Sequence, residues 1–219
     1  MTRKKNPEQT IENIIAVSEK LFLETGYEKT SMQDIVNALG MSKGAIFHHF
    51  KSKEDILHAV LNKQSEYMLQ TYYKWLEETK TNNAREKIIA LLEKSLKDRE
   101  SRTDIDSLVS SQLSNHRFIV ANMQSSVNKS APILAKLLRE GVKDGSITTQ
   151  NPDECAEVFL LLFNTWCDHV LFECNINRLT ARLQFIQQIM RQMGADILSD
   201  KAVKEYVKFI KNLYKRSVK

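Results

Sequence analysis

Glycine and proline are scarce in this chain, and their placement is uneven. The 219 residues include six Gly and three Pro, whereas average usage in soluble proteins gives about 26 in total. Three of the glycines, Gly26, Gly40 and Gly44, lie within one stretch of 19 residues. Because turns depend on these residue types, we expect an all-α chain with short helices in that stretch and long helices after it.

Composition and patterning exclude several classes of protein. Apolar residues make up 42% and charged residues 27%, which is typical of globular rather than disordered chains. The longest apolar run, residues 158–163, has six residues, far fewer than the roughly 18 that cross a bilayer. The basic N-terminus is followed by polar residues and does not resemble a signal peptide. With three cysteines and no CxxC spacing, we expect a soluble cytoplasmic protein without a disulfide framework.

Basic charge is concentrated at the two ends of the chain. Residues 1–53 carry eight Lys/Arg against six Asp/Glu, and residues 201–219 carry seven against one. The net charge of the whole chain is +5, so the middle is mildly acidic. This distribution favours a polyanionic partner, either nucleic acid or a membrane surface.

Capping signals predict four helices in the first third of the chain. Asn6-Pro7-Glu8 opens the first helix, and Gly26 ends it. Thr30 or Ser31 caps the second, where Thr30-x-x-Gln33 has the form of a capping box, and Gly40 ends it. Ser42 caps a third helix that runs to His49, and a fourth runs from Ser52 to about Glu78.

Longer helices are predicted after residue 80. Their expected bounds are Arg85–Glu100, Asp104–Asn115, Phe118–Asn128, Pro132–Asp144, Pro152 to about Glu173, Leu179–Leu198 and Lys201–Lys215. In the long helix from Pro152, Cys167 and Cys174 would be separated by about 10.5 Å of helical rise, too far for a disulfide. We therefore expect three buried hydrophobic thiols.

The stretch from Thr30 to Lys53 has the pattern of a helix-turn-helix, two short amphipathic helices joined by a turn that contains Gly40. In such a unit the second helix enters the major groove of DNA with its N-terminal residues forward. The spacing predicts that Met41, Ile46 and Phe50 face the core. The opposite edge then carries Lys43, Gly44, Ala45, Phe47 and His48.

Residues 30–57 read T-x3-DIV-x-A-x-GMSKG-x-IFHHF-x-SKE-x-IL. This ordered run, preceded by Phe22-x3-Gly26-Tyr27, resembles the DNA-binding signature of the tetracycline-repressor (TetR) family. The resemblance covers about the first 60 residues. Phe47 stands where the family usually has Tyr, so an aromatic contact with DNA is expected there without a hydroxyl.

The resemblance implies an all-α homodimer and no enzymatic activity, cofactor or metal. Residues 1–60 would form a three-helix DNA-binding head, with the helix-turn-helix at about 30–50. A long helix would join it to a body, residues 61–219, that binds a small-molecule effector and dimerises through helices near 152–173 and 179–198. Effector binding would release a palindromic operator.

The resemblance also implies roles for residues of the head. Thr30, Ser31 and Gln33 would contact phosphates or a base edge. Lys43 and His48 would read bases, Phe47 would contact a thymine methyl or the sugar-phosphate backbone, and Gly44 and Ala45 would allow close approach. Ser42 and His49 would position the helix, and Lys53 would meet a phosphate.

Sequence patterns in the body leave other interpretations open. The side chains most expected to line an effector pocket are Phe118, Met123, Phe159, Phe163, Trp166 and His169. Each of them is also typical of plain core packing. His169 and Glu173 at i and i+4 resemble half of a metal site without a second half. The amphipathic basic helix from Lys201 is compatible with a membrane-surface module, and a helical enzyme is the remaining alternative.

Overall fold

The computed structural model describes residues 7–101, 108, 116–168 and 171–217. Across these ranges the regular elements are all helical, which confirms the predicted all-α class. The α-helices are α1 (Pro7–Thr25), α2 (Met32–Leu39), α3 (Lys43–His49), α4 (Lys53–Glu78), α5 (Ala84–Ser101), α6 (His116–Ser125), α7 (Ala131–Asp144), α8 (Pro152–Leu161), α9 (Ile176–Gln192) and α10 (Asp200–Ser217). Two π-helical segments, Ser126–Ser130 and Leu162–Trp166, follow α6 and α8.

The described residues divide into two compact units, the first formed by the residues up to Tyr73 together with Leu108, and the second by the other residues from Lys74 onward. In the first unit, α1 and α2 pack together and bury Ile14, Phe22 and Ile35. Ile56 and Leu57 at the start of α4 are also fully buried. No helix within 7–101, 116–168 or 171–217 has the length and apolarity needed to cross a bilayer.

Helix α2 begins with a capping box, but its register differs by one residue from the predicted one. The Ser31 hydroxyl accepts a hydrogen bond from the Asp34 amide (3.2 Å), and the Asp34 carboxylate accepts one from the Ser31 amide (2.8 Å). The predicted box from Thr30 to Gln33 is therefore wrong. The bonds from Ser31 lower the pKa of Asp34 below its usual range.

The turn between α2 and α3 forms as predicted. Gly40 has left-handed backbone (φ 61°), and its amide donates to the Asn37 carbonyl to end α2. Two residues later, Ser42 has extended backbone and its hydroxyl accepts from the Ala45 amide (3.3 Å), which starts α3. Ile46 is fully buried, whereas Met41 and Phe50, also predicted to face the core, are half-buried.

The second unit contains interruptions that periodicity did not show. The helix that begins at Pro152 was predicted to run to about Glu173. It widens instead into the π-helical segment Leu162–Trp166, which ends it, and Cys167 is the capping residue. Helix α9 ends at Gln192 rather than Leu198, since the chain turns at Gly194 (φ 75°). Residues 126–130, predicted to include the end of one helix at Asn128 and the start of a gap before Pro132, are π-helical. The predicted helix Asp104–Asn115 falls almost entirely outside the described residues.

Helix α10 packs against α5 and α9 within the second unit. Its apolar side is buried through Ala202, Val203, Tyr206, Phe209 and Ile210. At its start, Lys201 forms an ion pair with Glu93, whose carboxylate also accepts from the Ser199 hydroxyl (2.9 Å). The lysines at 204, 208 and 211 are exposed.

Substitutions at Gly40 and Gly44 distinguish the effect of backbone conformation on stability from the effect of side-chain packing. An added Cβ at Gly40 or at Gly44 meets nothing within 4 Å, but only Gly40 has positive φ. We expect Gly40→Ala to lower the free energy of unfolding by about 1–2 kcal/mol, since left-handed backbone is unfavourable for L-residues. Gly44→Ala, the control, should raise it by up to about 1 kcal/mol through helix propensity. Urea denaturation measures both, and equal effects would contradict this account.

Candidate nucleic-acid interface

Helix α3 is oriented by one buried residue and two capped ends. Ile46 is fully buried, and the Ser42 hydroxyl and the Phe50 amide cap the ends, the latter donating to the Ile46 carbonyl (2.9 Å). The Lys51 ammonium donates to the Phe47 carbonyl (2.9 Å), which satisfies another terminal acceptor. The rest of this seven-residue helix is therefore held with its other side outward.

The outward edge of α3 has small residues, Gly44 and Ala45, between polar residues at its two ends. Lys43, Gly44 and His48 are exposed, and Ala45 and Phe47 are half-buried. The Lys43 ammonium lies 5.6 Å from the centre of the Phe47 ring, within the range of a cation–π contact. Because the space beside Gly44 is open, this edge leaves room for a second molecule to approach the backbone.

The histidines that follow Phe47 differ in environment. His48 is exposed and His49 is half-buried. Their ring centres are 5.1 Å apart in an edge-to-face arrangement. His48 therefore extends the outward edge, while His49 lies partly under it.

The start of α2 places two of its three predicted contact residues at the surface. Ser31 and Gln33 are exposed, and the Gln33 amide donates to Asn37 (2.9 Å). Thr30 is 2% exposed, and its hydroxyl donates to the Gly26 carbonyl (2.8 Å). Thr30 thus closes the turn between α1 and α2, and its contact with DNA stays a prediction.

Lys53 is attached to the turn between α1 and α2, a contact that the sequence did not indicate. Its ammonium donates to the Tyr27 carbonyl (2.8 Å) and lies 4.2 Å from the centre of the Tyr27 ring. That ring packs edge-to-face on Phe22 (5.2 Å). Partial burial, followed by the charge of Glu54, raises the pKa of Tyr27. Tyr27 was predicted only as part of a turn motif, because contacts across 26 residues leave no periodic signal.

Five of the six predicted pocket residues lie in the part of the chain that the structure describes, and their surroundings differ. Phe159 and Phe163 are buried and stacked (5.5 Å between ring centres), and Phe163 also contacts Tyr206. Trp166 is half-buried and packs against Phe185 (6.2 Å). Phe118 is half-buried and Met123 is 38% exposed on α6. His169 lies outside the described residues.

Metal-ligating side chains do not cluster in the part of the chain that the structure describes. The metal half-site proposed from His169 and Glu173 includes a residue outside that part.

The arrangement defines a class of protein, a helix-turn-helix head followed by a helical body. Residues 14–60 match the sequence profile of "Bacterial regulatory proteins, tetR family". Residues 14–60 of this chain are therefore similar to the N-terminal domain of that family.

Individual HTH-type transcriptional regulators are also similar in sequence to part of this chain. An HTH-type transcriptional repressor of Mycobacterium tuberculosis is 38% identical over 55 residues, which are 25% of this chain and 29% of that protein. The HTH-type transcriptional regulator QacR of Staphylococcus aureus is 34% identical over 85 residues, 39% of this chain and 44% of QacR. In both cases the alignment spans less than half of the relative.

Solved structures match over most of the chain. A TetR/AcrR-family regulator of Thermobifida fusca aligns with a TM-score of 0.57 at 25% identity, covering 84% of this chain and 96% of that one. A TetR-family regulator of Pectobacterium atrosepticum has a TM-score of 0.64 at 20% identity, covering 88% and 97%. The second likeness shows that the fold is shared.

The contact between Lys53 and Tyr27 gives a stability prediction. We expect Lys53→Met to lower the free energy of unfolding by about 1 kcal/mol, because the apolar stem stays while the hydrogen bond is lost. Tyr27→Phe is the matched control, since it keeps the ring and the carbonyl and should leave stability unchanged. Guanidinium denaturation of the two variants measures the difference. A Lys53→Met variant as stable as the wild type would show that the contact contributes nothing.

Proposed function

We propose that this protein is a transcriptional regulator, acting as a repressor, that binds a palindromic operator as a homodimer and is released by a small-molecule effector. The observation that carries the proposal is the outward edge of α3, from Lys43 to His48, on a helix oriented by the buried Ile46. In this proposal the body binds ligands and dimerises and has no enzymatic activity.

The edge of α3 has the chemistry that a major groove requires. Gly44 and Ala45 are the small residues, so the backbone of α3 reaches the floor of the groove without a bulky side chain between them. Lys43 donates to guanine O6 and N7, and His48 reaches the next base step. Phe47 supplies an apolar contact to a thymine methyl or a sugar.

Residues around the edge anchor the head on the phosphates. Ser31, Gln33 and Ser42 lie exposed at the first turns of α2 and α3, where backbone amides also face the DNA. His49 supports α3 from its half-buried position. An ammonium has three N–H groups, so Lys53 can bind the Tyr27 carbonyl and still donate to a phosphate. Thr30 acts by holding the turn.

Exposed apolar side chains support dimerisation through the helices near 152–173 and 179–198. Val158 is 43% exposed on α8, and Phe185 is 52% exposed on α9. Leu161 and Thr165, one and two turns beyond Val158, are half-buried. A second copy of the chain would cover this surface, and the two-fold symmetry of such a dimer matches a palindromic operator.

The effector would bind in the body, where its aromatic side chains provide apolar contacts. Phe163 and Trp166 belong to the same π-helical segment, and such segments are frequent at functional sites. Phe159, Phe118, Met123 and His169 remain the other proposed lining residues.

DNA binding is tested with Lys43→Ala on duplexes from the region upstream of the gene. We expect about tenfold weaker binding to the preferred duplex, with relaxed preference at one base position and a salt slope smaller by about 1. Fluorescence anisotropy at several salt concentrations measures both quantities. Lys136→Ala, an exposed lysine of α7 with the same charge change, is the control. Equal behaviour of the two variants would reject the assigned role of Lys43.

Dimerisation is tested with Phe185→Glu. We expect sedimentation velocity to show a monomer, because a carboxylate in the covered surface would lose its hydration. Affinity for a full palindrome should fall while affinity for one half-site is kept. Val120→Glu changes a residue that is equally exposed (53%) on α6 and should stay dimeric. A dimeric Phe185→Glu protein would place the interface elsewhere.

A further inference from the structure

One arginine, Arg182, contacts both Cys174 and the residue that precedes Cys167. The Arg182 Nη1 atom donates to the Cys174 sulfur (3.5 Å) and to the carbonyl of Trp166 (3.0 Å), the residue before Cys167. Cys174 and the backbone next to Cys167 therefore lie within bonding distance of the same nitrogen. Because Cys167 directly follows Trp166 in the chain, Arg182, Cys174 and Cys167 lie in one cluster.

This cluster exists because the helix from Pro152 ends early. The Cys167 amide donates to the Leu162 carbonyl (3.0 Å) and closes the π-helical segment. Asp168 then starts a turn, its carboxylate accepting from the Leu171 amide (2.8 Å). In a continuous α-helix the two cysteines would be two turns apart. Because the chain turns, Cys174 lies instead near the end of the π-helical segment, beside the residue that precedes Cys167.

The two thiols differ in access and in electrostatic setting. Cys174 is half-buried, so small reagents reach it, and its sulfur accepts a hydrogen bond from Arg182. Cys167 is fully buried, and burial raises its pKa to about 12. Cys174 is thus the thiol that reacts first, and Cys167 is a partner that reacts only with a group already inside the cluster.

We propose that Cys174 and Cys167 form a dithiol site that hydroperoxides oxidise to a disulfide. The Cys174 thiolate attacks the peroxide, the O–O bond breaks, and the sulfur becomes a sulfenic acid while one oxygen leaves as water after protonation. The Cys167 sulfur then attacks that sulfenic sulfur and releases a second water, to which the Cys167 thiol gives its proton. Two thiols and one hydrogen peroxide become one disulfide and two waters, and a dithiol reductant reverses the change.

A disulfide between Cys167 and Cys174 would alter the start of α9, one of the helices that the proposed function uses for dimerisation. Cys174 directly precedes Asn175, whose side chain caps α9 by accepting from the Arg178 amide (2.9 Å). Arg182 also donates to the Phe172 carbonyl (3.2 Å) and faces the Trp166 ring (5.5 Å). A disulfide removes the Cys174 contact from this arginine and shifts the start of α9. Disulfide formation between the two cysteines depends on this geometry alone, whereas the effect of the disulfide on DNA binding rests on the proposed function.

The test treats the reduced full-length protein with one equivalent of hydrogen peroxide and counts free thiols. We expect the count to fall from three to one, with mass spectrometry of a digest showing Cys167 linked to Cys174. Cys155→Ser removes a buried thiol that contacts the Thr149 hydroxyl (3.2 Å) and should still form the disulfide. Cys167→Ser should stop at a sulfenic acid on Cys174 that dimedone traps.

The decisive variant is Cys174→Ser, in which both remaining thiols are buried. We expect it to keep two free thiols under the same treatment. Three free thiols in the oxidised wild type, or oxidation of Cys174→Ser at the wild-type rate, would overturn the dithiol site.

A DNA measurement separates this inference from the proposed function. We expect the disulfide form to bind the preferred duplex about tenfold more weakly than the reduced form, a typical coupling between two sites. Equal affinity of the two forms would overturn the regulatory effect while the dithiol site stands. Reduced protein that binds no duplex would overturn the proposed function and leave the thiol count as the test of the site.

Discussion

The reversal of the chain at Gly40 is the constraint on which the head depends. Left-handed backbone at this position ends α2 and leaves one residue, Met41, before Ser42 starts α3. Because α3 has seven residues and a single fully buried one, Ile46, the direction of its outer edge follows from the direction in which Ile46 points. A side chain at position 40 would strain this turn. The geometry of the edge therefore rests on one backbone conformation and one buried residue, supported by the contact between Lys53 and Tyr27.

In the second unit, the corresponding constraint is the early end of the helix that starts at Pro152. A π-helical segment widens the helix at Leu162–Trp166, and the chain then turns instead of continuing. One consequence is that Trp166 faces Phe185 and Arg182. Another is that Cys174 joins the cluster around the same arginine. Aromatic, cationic and thiol groups that sequence spacing separates thus share one small region between the end of the π-helical segment and the first half of α9.

Local signals explain how much of this structure was predictable. Caps and periodicity are properties of neighbouring residues. The bounds of α2 and α3 therefore followed within one residue from the caps predicted at Thr30 or Ser31, Gly40 and Ser42, and the start of α4 followed from Ser52. The exposure of Lys43 and His48 followed from helical spacing. Contacts between distant residues leave no such signal, which is why the attachment of Lys53 to Tyr27 was missed. The break after Trp166 was missed for another reason. Apolar residues occur on both sides of it, and residues 158–173 contain neither Gly nor Pro, so the sequence contains no signal that the helix ends there.

The central claim is that the backbone at Gly44 lies against DNA, and substitutions of increasing size at this position test it most directly. Gly44→Ala and Gly44→Gln place side chains in space that is open in the free protein, and both residues favour helix more than glycine does. The account predicts that both variants fold at least as stably as the wild type while duplex affinity falls with side-chain size, by about tenfold or more for Gln, equivalent to about 1.4 kcal/mol. Wild-type affinity of Gly44→Gln for the same duplex would contradict it.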